Sequence, residues 1–170
     1  MFEIERKFLT DGAPIQDAIK AEKITQGFMS TDPERTIRVR LVEGLNGSEI
    51  TNAYLTVKGK MQSFTRREVE TEIDFSAASA LLQHFCKDQH IIEKVRYTIP
   101  DSHGQLWEVD VFKTNNRGLI IAELELASED QKIILSTWIT GEVTNDYRYS
   151  NAQLSMFPYP FISHGSVRKR

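Results

Sequence analysis

Charged side chains recur at every second position along this chain. Glu3, Glu5 and Lys7 open the pattern, and it returns in Arg38 and Arg40, in Arg66, Glu68, Glu70 and Glu72, in Lys94 and Arg96, in Glu108 and Asp110, and in Glu123 and Glu125. Residues two apart share one face of a β-strand, so each stretch carries an ionic face opposite an apolar one such as Ile37, Val39 and Leu41. Lys7, Arg38, Arg40, Lys58, Arg66, Lys94 and Arg96 form a cationic set suited to a compact polyanion, through charge-assisted and often bidentate hydrogen bonds to phosphate oxygens. The acidic set of Glu3, Glu5, Glu68, Glu70, Glu108, Asp110, Glu123 and Glu125 would repel that anion by itself. The two sets are compatible if a hard divalent cation sits between them, because Mg²⁺ takes oxygen ligands and is commonly shared between carboxylates and a polyphosphate. On that reading Glu3 and Glu5 hold metal and Lys7 helps to hold phosphate.

Such side chains must be positioned by strands. Strand-like runs are Phe2 to Leu9, Lys23 to Ser30, Thr36 to Val42, Ala53 to Lys58, Phe64 to Asp74, Ile91 to Ile99, Leu106 to Phe112 and Leu119 to Leu126. Turn chemistry in "NGS" at Asn46 to Ser48 and in "DSHG" at Asp101 to Gly104 predicts antiparallel neighbours. Helical spacing predicts amphipathic helices over "APIQDAIKAE" from Ala13, with Ile15, Ala18 and Ile19 on one side, and over "SAASALLQHFCKD", capped by Ser76, with Ala78, Leu81, Leu82, Phe85 and Cys86 in one stripe. Ser128 and Gln131 have capping-box spacing and predict a helix to about Trp138, and a short helix is expected between Ser150 and Met156. An antiparallel sheet with one face in water gives the same alternation. The polar slots here are nearly all ionic, however, and of both signs. The alternative is a closed sheet with helices outside and an ionic tunnel inside, whose charges need counter-charges or a ligand.

At 170 residues with 40% hydrophobic content, the chain is read as one domain that needs no disulfide or metal staple. A formal charge of −3 argues against general nucleic-acid binding. The single cysteine, Cys86, excludes an intrachain disulfide and points to a reducing compartment. With no leader-like or membrane-spanning apolar run, a cytoplasmic protein without a membrane partner is expected. His84, His90, His103 and His164 lack metal-ligand spacing, Cys86 lies on an apolar stripe, and the terminal "VRKR" reads as a solvated tail. There is no Walker-type loop or Rossmann fingerprint, so side chains would have to hold the phosphate.

The ordered set "EIERK", "TQGF", "RTIRVR", "LTVKG", "TRREVE", "EKVRYTI", "WEVDVF", "RGLIIAELEL" and "GEVTNDYRYSNAQL" resembles the CYTH superfamily, the triphosphate tunnel metalloenzymes, from Glu3 to about Leu154. The resemblance implies an α+β, mainly β fold: a closed eight-stranded antiparallel β-tunnel with amphipathic helices packed outside, as a domain over residues 1–156 followed by a tail over residues 157–170. It implies Mg²⁺ or Mn²⁺ as cofactor and a small triphosphate as substrate. It places metal at Glu3, Glu5, Glu123 and Glu125, with Asp110 at a second metal or through water, and phosphate at Lys7, Arg38, Arg40, Lys58, Arg66 and Arg96. Lys94 matches the family's candidate general base, a role that needs a neutral amine, and Glu68 or Glu70 acting through water is the competing base. Hydrolysis of inorganic triphosphate is the expected activity. The alternatives are a class IV-type adenylate cyclase, a thiamine triphosphatase and a non-catalytic polyphosphate-binding module, and a homodimer is plausible. Two departures stand out: Phe28 where many relatives carry tyrosine, and Val69 between the paired glutamates, expected to face outward and pack.

Overall fold

Strands β1 (Phe2–Thr10), β2 (Lys20–Asp32), β3 (Arg35–Gly44), β4 (Thr51–Gly59), β5 (Thr65–Glu72), β6 (Ile92–Pro100), β7 (Leu106–Phe112), β8 (Ile120–Glu125) and β9 (Ile139–Glu142) follow one another in the computed structural model, with helix α1 (Phe75–Phe85) between β5 and β6 and helix α2 (Asn151–Met156) after β9. The structure describes residues 2–45, 51–60, 62, 65–87 and 90–159, without the side chains of Phe2 and Glu3. The "NGS" turn, His164 and the "VRKR" tail lie outside the described residues.

Hydrogen-bonded neighbours run β5-β4-β3-β2-β6-β7-β8-β1, and β1 returns to β5, so eight antiparallel strands close into the expected tunnel. The closing seam is short: Phe2↔Arg67, Glu3↔Arg66 and Ile4↔Thr65. Farther along the same edge of β1, β9 takes over, pairing Phe8↔Glu142 and Leu9↔Gly141. Arg6 fastens it by donating from Nε and Nη2 to the two Glu142 carboxylate oxygens at 2.8 and 2.5 Å. The "DSHG" turn forms as expected between β6 and β7, with Gly104 at φ +77° and the Asp101 N–H donating to Gln105 O.

Apolar faces point outward and are covered in two places. Ala78, Leu82 and Cys86 of α1 and the residue just after it pack on Val39 and Ala53. Gly27 allows this approach, since a Cβ there would meet Cys86 at 2.8 Å. On the far side Phe8, Trp107 and Trp138 stack edge to face, with ring centroids 5.6 and 5.3 Å apart along the series. α2 lies elsewhere. Its Ala152 and Leu154 join Phe28, Ile92, Phe112 and Ile121, residues on the inward parity of their strands, in an apolar cluster, of which Phe28 and Ala152 also border the cavity.

Four local expectations are corrected. The helix expected from Ala13 is a 3₁₀ turn at Ile15–Asp17, followed at Lys20 by β2, because Lys20 to Glu22 find strand partners in Thr98 to Arg96. The helix expected from Ser128 is a turn and an extended segment: Gln105 donates from Nε2 to Ile134 O at 2.7 Å and accepts from Ile134 N–H at 3.1 Å, taking the backbone groups a helix would use. Helix α1 starts two residues earlier than expected, with Asp74 and not Ser76 at the N-cap. Phe85 and Val69 are exposed, at 67% and 68%, and do not pack.

Candidate active site

The ionic faces converge. A cavity of ≈1150 Å³ inside the barrel is lined by Glu5 and Lys7 of β1, Arg38 and Arg40 of β3, Lys58 of β4, Arg66, Glu68 and Glu70 of β5, Arg96 of β6, Glu108 of β7 and Glu123 and Glu125 of β8. Strand register explains the convergence, because each of these residues occupies the inward parity of its strand. His84 and His103 are exposed, and none of the described histidines lines the cavity.

One chain of ion pairs runs around half of the wall. Lys94 Nζ donates to Asp110 Oδ2 at 2.5 Å, and Arg96 grips both Asp110 oxygens at 2.7 Å. Arg96 Nη2 also donates to Glu123 Oε2 at 2.7 Å, and its Nη1 to Glu108. Glu123 accepts in turn from Lys7, whose Nζ lies 2.8 Å from Glu5 Oε1, and Arg66 stands 3.7 Å from the same oxygen. On the other half, Lys58 pairs with Glu68 at 2.6 Å, while Glu70 accepts from Thr56 at 2.7 Å and from Arg38 at 3.3 Å.

Burial and pairing set the protonation states. Burial alone would lower the Lys7 amine, yet Glu123 and Glu5 outweigh it and hold the amine above its ordinary value. Burial would likewise raise Glu123 and Asp110, but their cationic neighbours keep both carboxyls low. Glu108 is raised, chiefly by burial. Lys94 goes the other way: burial, helped by Arg96 and Arg40 and opposed by Asp110 and Glu123, brings its amine down to about 8.

The sequence-predicted residues thus meet, with two qualifications. Lys94 and Asp110 are fully buried and sit one layer behind the cavity wall, with Arg96 in front of them. The Glu3 side chain lies outside the described residues, although its backbone pairs with Arg66. Sequence reasoning missed Thr56, Asn151 and Thr144. Asn151 Oδ1 is 3.4 Å from Lys94 Nζ, and Thr144 Oγ1 accepts the Lys7 backbone N–H at 3.1 Å. Asn151 and Thr144 belong to "GEVTNDYRYSNAQL", whose polar residues between β9 and α2 were the available signal.

The donor set fits a hard cation. Glu5 stands directly across from Glu125, a like-charge pair that destabilises neighbouring strands unless a cation lies between them, whereas the opposed Glu108 and Glu123 are already bridged by Arg96. Glu5 Oε1 is buried and makes no hydrogen bond, only the ion-pair contacts given above. Among the described residues no three such groups are already clustered as a metal site, because Glu5 and Glu123 are engaged with lysine and arginine.

No protein-family model matches the chain. It is 38% identical over 157 residues to an inorganic triphosphatase of Acetivibrio thermocellus, covering 92% of this chain and 95% of the relative, and 35% identical over 160 residues to an inorganic triphosphatase of Nitrosomonas europaea, covering 92% and 98%. The crystal structure of the inorganic triphosphatase NE1496 superimposes with a TM-score of 0.63 at 33% identity, over 91% of this chain and 97% of that one. A Hippeastrum protein described as a putative adenylyl cyclase with dominant triphosphatase activity shares the fold at a TM-score of 0.52 and 14% identity, over 74% of this chain and 80% of that one. With the closed eight-stranded barrel and its inward ionic residues, these likenesses place the chain in the CYTH superfamily of triphosphate tunnel proteins, and it belongs with the inorganic triphosphatases.

Proposed function

We propose that this protein is a divalent-metal-dependent triphosphatase that cleaves inorganic triphosphate to pyrophosphate and phosphate. The observation that carries the reading is the enclosed cavity wall on which lysine and arginine alternate with glutamate, supported by the inorganic triphosphatase relatives. Arg38, Arg40, Lys58 and Arg66 face the cavity from β3 to β5, and Lys7 and Arg96 from β1 and β6, so a linear polyanion between them receives donors from both sides. Mg²⁺ or Mn²⁺, held by Glu3, Glu5, Glu123 and Glu125 with Asp110 behind them, would supply charge neutralisation at the phosphoryl oxygens. The wall's fixed cations orient the terminal phosphoryl group and stabilise the charge that moves to the leaving group.

Lys94 is the proposed base. With its amine at about 8, roughly a tenth of it is neutral at pH 7, and Asn151 connects it to the cavity edge. Glu68 and Glu70 line the cavity itself and are the competing bases. For Glu70, burial is outweighed by the Thr56 hydroxyl and by Arg40 and Arg38, which keep its carboxyl low and make it the weaker acceptor. The cavity also has room beyond a triphosphate and includes Phe28, Tyr54 and Tyr147, which supports nucleoside or thiamine triphosphates as second substrates. The buried Cys86 thiol is consistent with a cytoplasmic setting.

The test is a panel of tripolyphosphate, ATP and thiamine triphosphate with Mg²⁺, with Mn²⁺ and with EDTA. Phosphate release from tripolyphosphate that EDTA abolishes is expected. Cyclic AMP from ATP would make the protein a cyclase, and binding without release would make it a polyphosphate-binding module.

A further inference from the structure

Gln26 is fully buried on the inward parity of β2, and neither Nε2 nor Oε1 of its carboxamide has a hydrogen-bond partner. A buried amide left in that state is costly, and a leucine or methionine of similar size would fill the space without the cost. Its neighbours narrow what it can serve. Across β6 it faces Ile92, which offers nothing polar, and diagonally Lys94, whose amine is held by Asp110. Across β3 it faces Arg40 directly, and diagonally Arg38, which donates to Thr56 and Glu70. Arg40 Nε is itself buried without a partner, although the residue lines the cavity. Two complementary unpartnered groups, an amide oxygen and a guanidinium N–H, therefore stand opposite each other on adjacent strands. Directly opposed residues have Cβ atoms about 5 Å apart, within reach of one rotamer adjustment.

We propose that Gln26 is a positioning residue for Arg40: when a polyphosphate occupies the cavity, Gln26 Oε1 accepts the Arg40 Nε–H and fixes the plane in which the guanidinium presents its outer N–H groups to phosphate oxygens. A guanidinium clamped at Nε keeps both terminal nitrogens for the anion, which is the arrangement that bidentate phosphate recognition requires. Lys7, Arg38, Lys58, Arg66 and Arg96 each have a carboxylate within ion-pair distance, whereas Arg40 meets Glu70 only through its longer-range field, so Gln26 holds its arginine without adding negative charge beside the substrate. The proposal rests on the triphosphate reading given above and extends it to a residue that touches no substrate.

The experiment is a double-mutant cycle on the full chain with Gln26→Met, Arg40→Lys and the double variant. Tripolyphosphate binding is measured by calorimetry in EDTA and steady-state hydrolysis with Mg²⁺. Gln26→Met is expected to raise Kd and KM about tenfold in the wild-type background with kcat changed less than about threefold, and to change them less than about twofold when Arg40 is lysine, which has no Nε–H fork to clamp. The melting temperature should stay level or rise, because an unsatisfied amide has been removed. Unchanged Kd and KM in Gln26→Met, or the same loss in both backgrounds, overturns the proposal. If Gln26→Met does not fold, Gln26→Asn, which retracts the amide by one methylene, is judged by the same coupling. Wild-type protein that binds tripolyphosphate in EDTA but never hydrolyses it sinks the triphosphatase reading alone, since the binding cycle still decides the role of Gln26.

Discussion

Replacing Lys94 by methionine should make the protein more stable and much less active. The side chain is fully buried, and burial outweighs the Asp110 carboxylate enough to bring the amine from its ordinary 10.5 to about 8. At 1.36 kcal/mol per pKa unit, carrying the charged form into this site costs on the order of 3 kcal/mol, or about 1–3 after allowing for relaxation. Methionine fills the volume without the charge, and Asp110 keeps two hydrogen bonds from Arg96. For a chain of this size that corresponds to a melting temperature higher by roughly 3–10 °C at pH 7. The pH dependence has a definite sign. Below pH 8 both folded and unfolded states carry the charge and the folded state bears the whole penalty; between 8 and 10.5 the folded protein sheds the proton first, so wild-type stability rises toward that of the variant. Thermal unfolding of both proteins in EDTA from pH 7 to 10.5, beside kcat for tripolyphosphate, checks this. If Lys94 is the base, kcat falls by about 10²–10⁴. A lower melting temperature for Lys94→Met at pH 7, or a gap that does not close with rising pH, would refute the account of a charge buried at a cost.

Glu5→Gln should raise the Mg²⁺ concentration for half-maximal activity by about tenfold or more, since it removes one of two opposed carboxylates; an unchanged metal titration would take Glu5 out of the metal site. Asp101 does not line the cavity, and although burial pushes its carboxyl up, hydrogen bonds from Trp107 Nε1, the Gln105 side chain and two backbone N–H groups hold it at about 2. Its folded value lies below the unfolded one, so its contribution is present above about pH 4 and is lost as pH falls through about 2. Asp101→Asn should accordingly lower the melting temperature at pH 7, with the difference shrinking toward pH 2, and a pH-independent difference would contradict the assignment. Metal and anion should also bind cooperatively, because either alone strips a partner from the Lys7–Glu123–Arg96 series. With Lys94→Met to suppress turnover, and after correction for the complex formed in solution, Mg²⁺ and tripolyphosphate should tighten one another by the same factor, of order 5–150; independent binding would count against partner exchange.

The barrel was legible because its strands alternate charge with aliphatic side chains, and a period of two leaves few choices once one face is identified. Arg38 and Arg40, Lys58, and Glu123 and Glu125 fall on the expected face for that reason alone. The failures occur where local pattern and long-range pairing disagree. Ile15, Ala18 and Ile19 have helical spacing, but Lys20 to Glu22 complete an edge that β6 already offers, and pairing prevails over spacing. Ser128 and Gln131 do form a turn, with Gln131 Oε1 accepting the Ala127 N–H at 2.7 Å, yet Ile133 and Trp138 are drawn onto the Trp107 cluster and the helix never propagates. At four residues, β9 is too short for alternation to register, and it exists because β1 leaves half of an edge unpaired by β5.

Within the site, parity predicts direction but not depth. Lys94 and Arg96 lie on the same face of β6, and nothing in the spacing says that one lines the cavity while the other lies behind it. The difference comes from Asp110, which accepts from both and draws the shorter cation into the wall, with Arg96 covering it. Depth also accounts for Gln26, an uncharged amide that has no place in an alternation of charges yet is fully buried on the inward face. A wall whose carboxylates and cations neutralise each other can exist without ligand at tolerable cost, since Lys7, Lys94, Arg96, Asp110 and Glu123 all keep ion-pair partners. The same pairing means that substrate and metal bind by exchanging partners with the wall, so affinity depends on how well each released cation is then oriented. Arg40 feels Glu70 through its charge, but no carboxylate accepts its buried Nε–H, and there a neutral acceptor such as the Gln26 amide has its use.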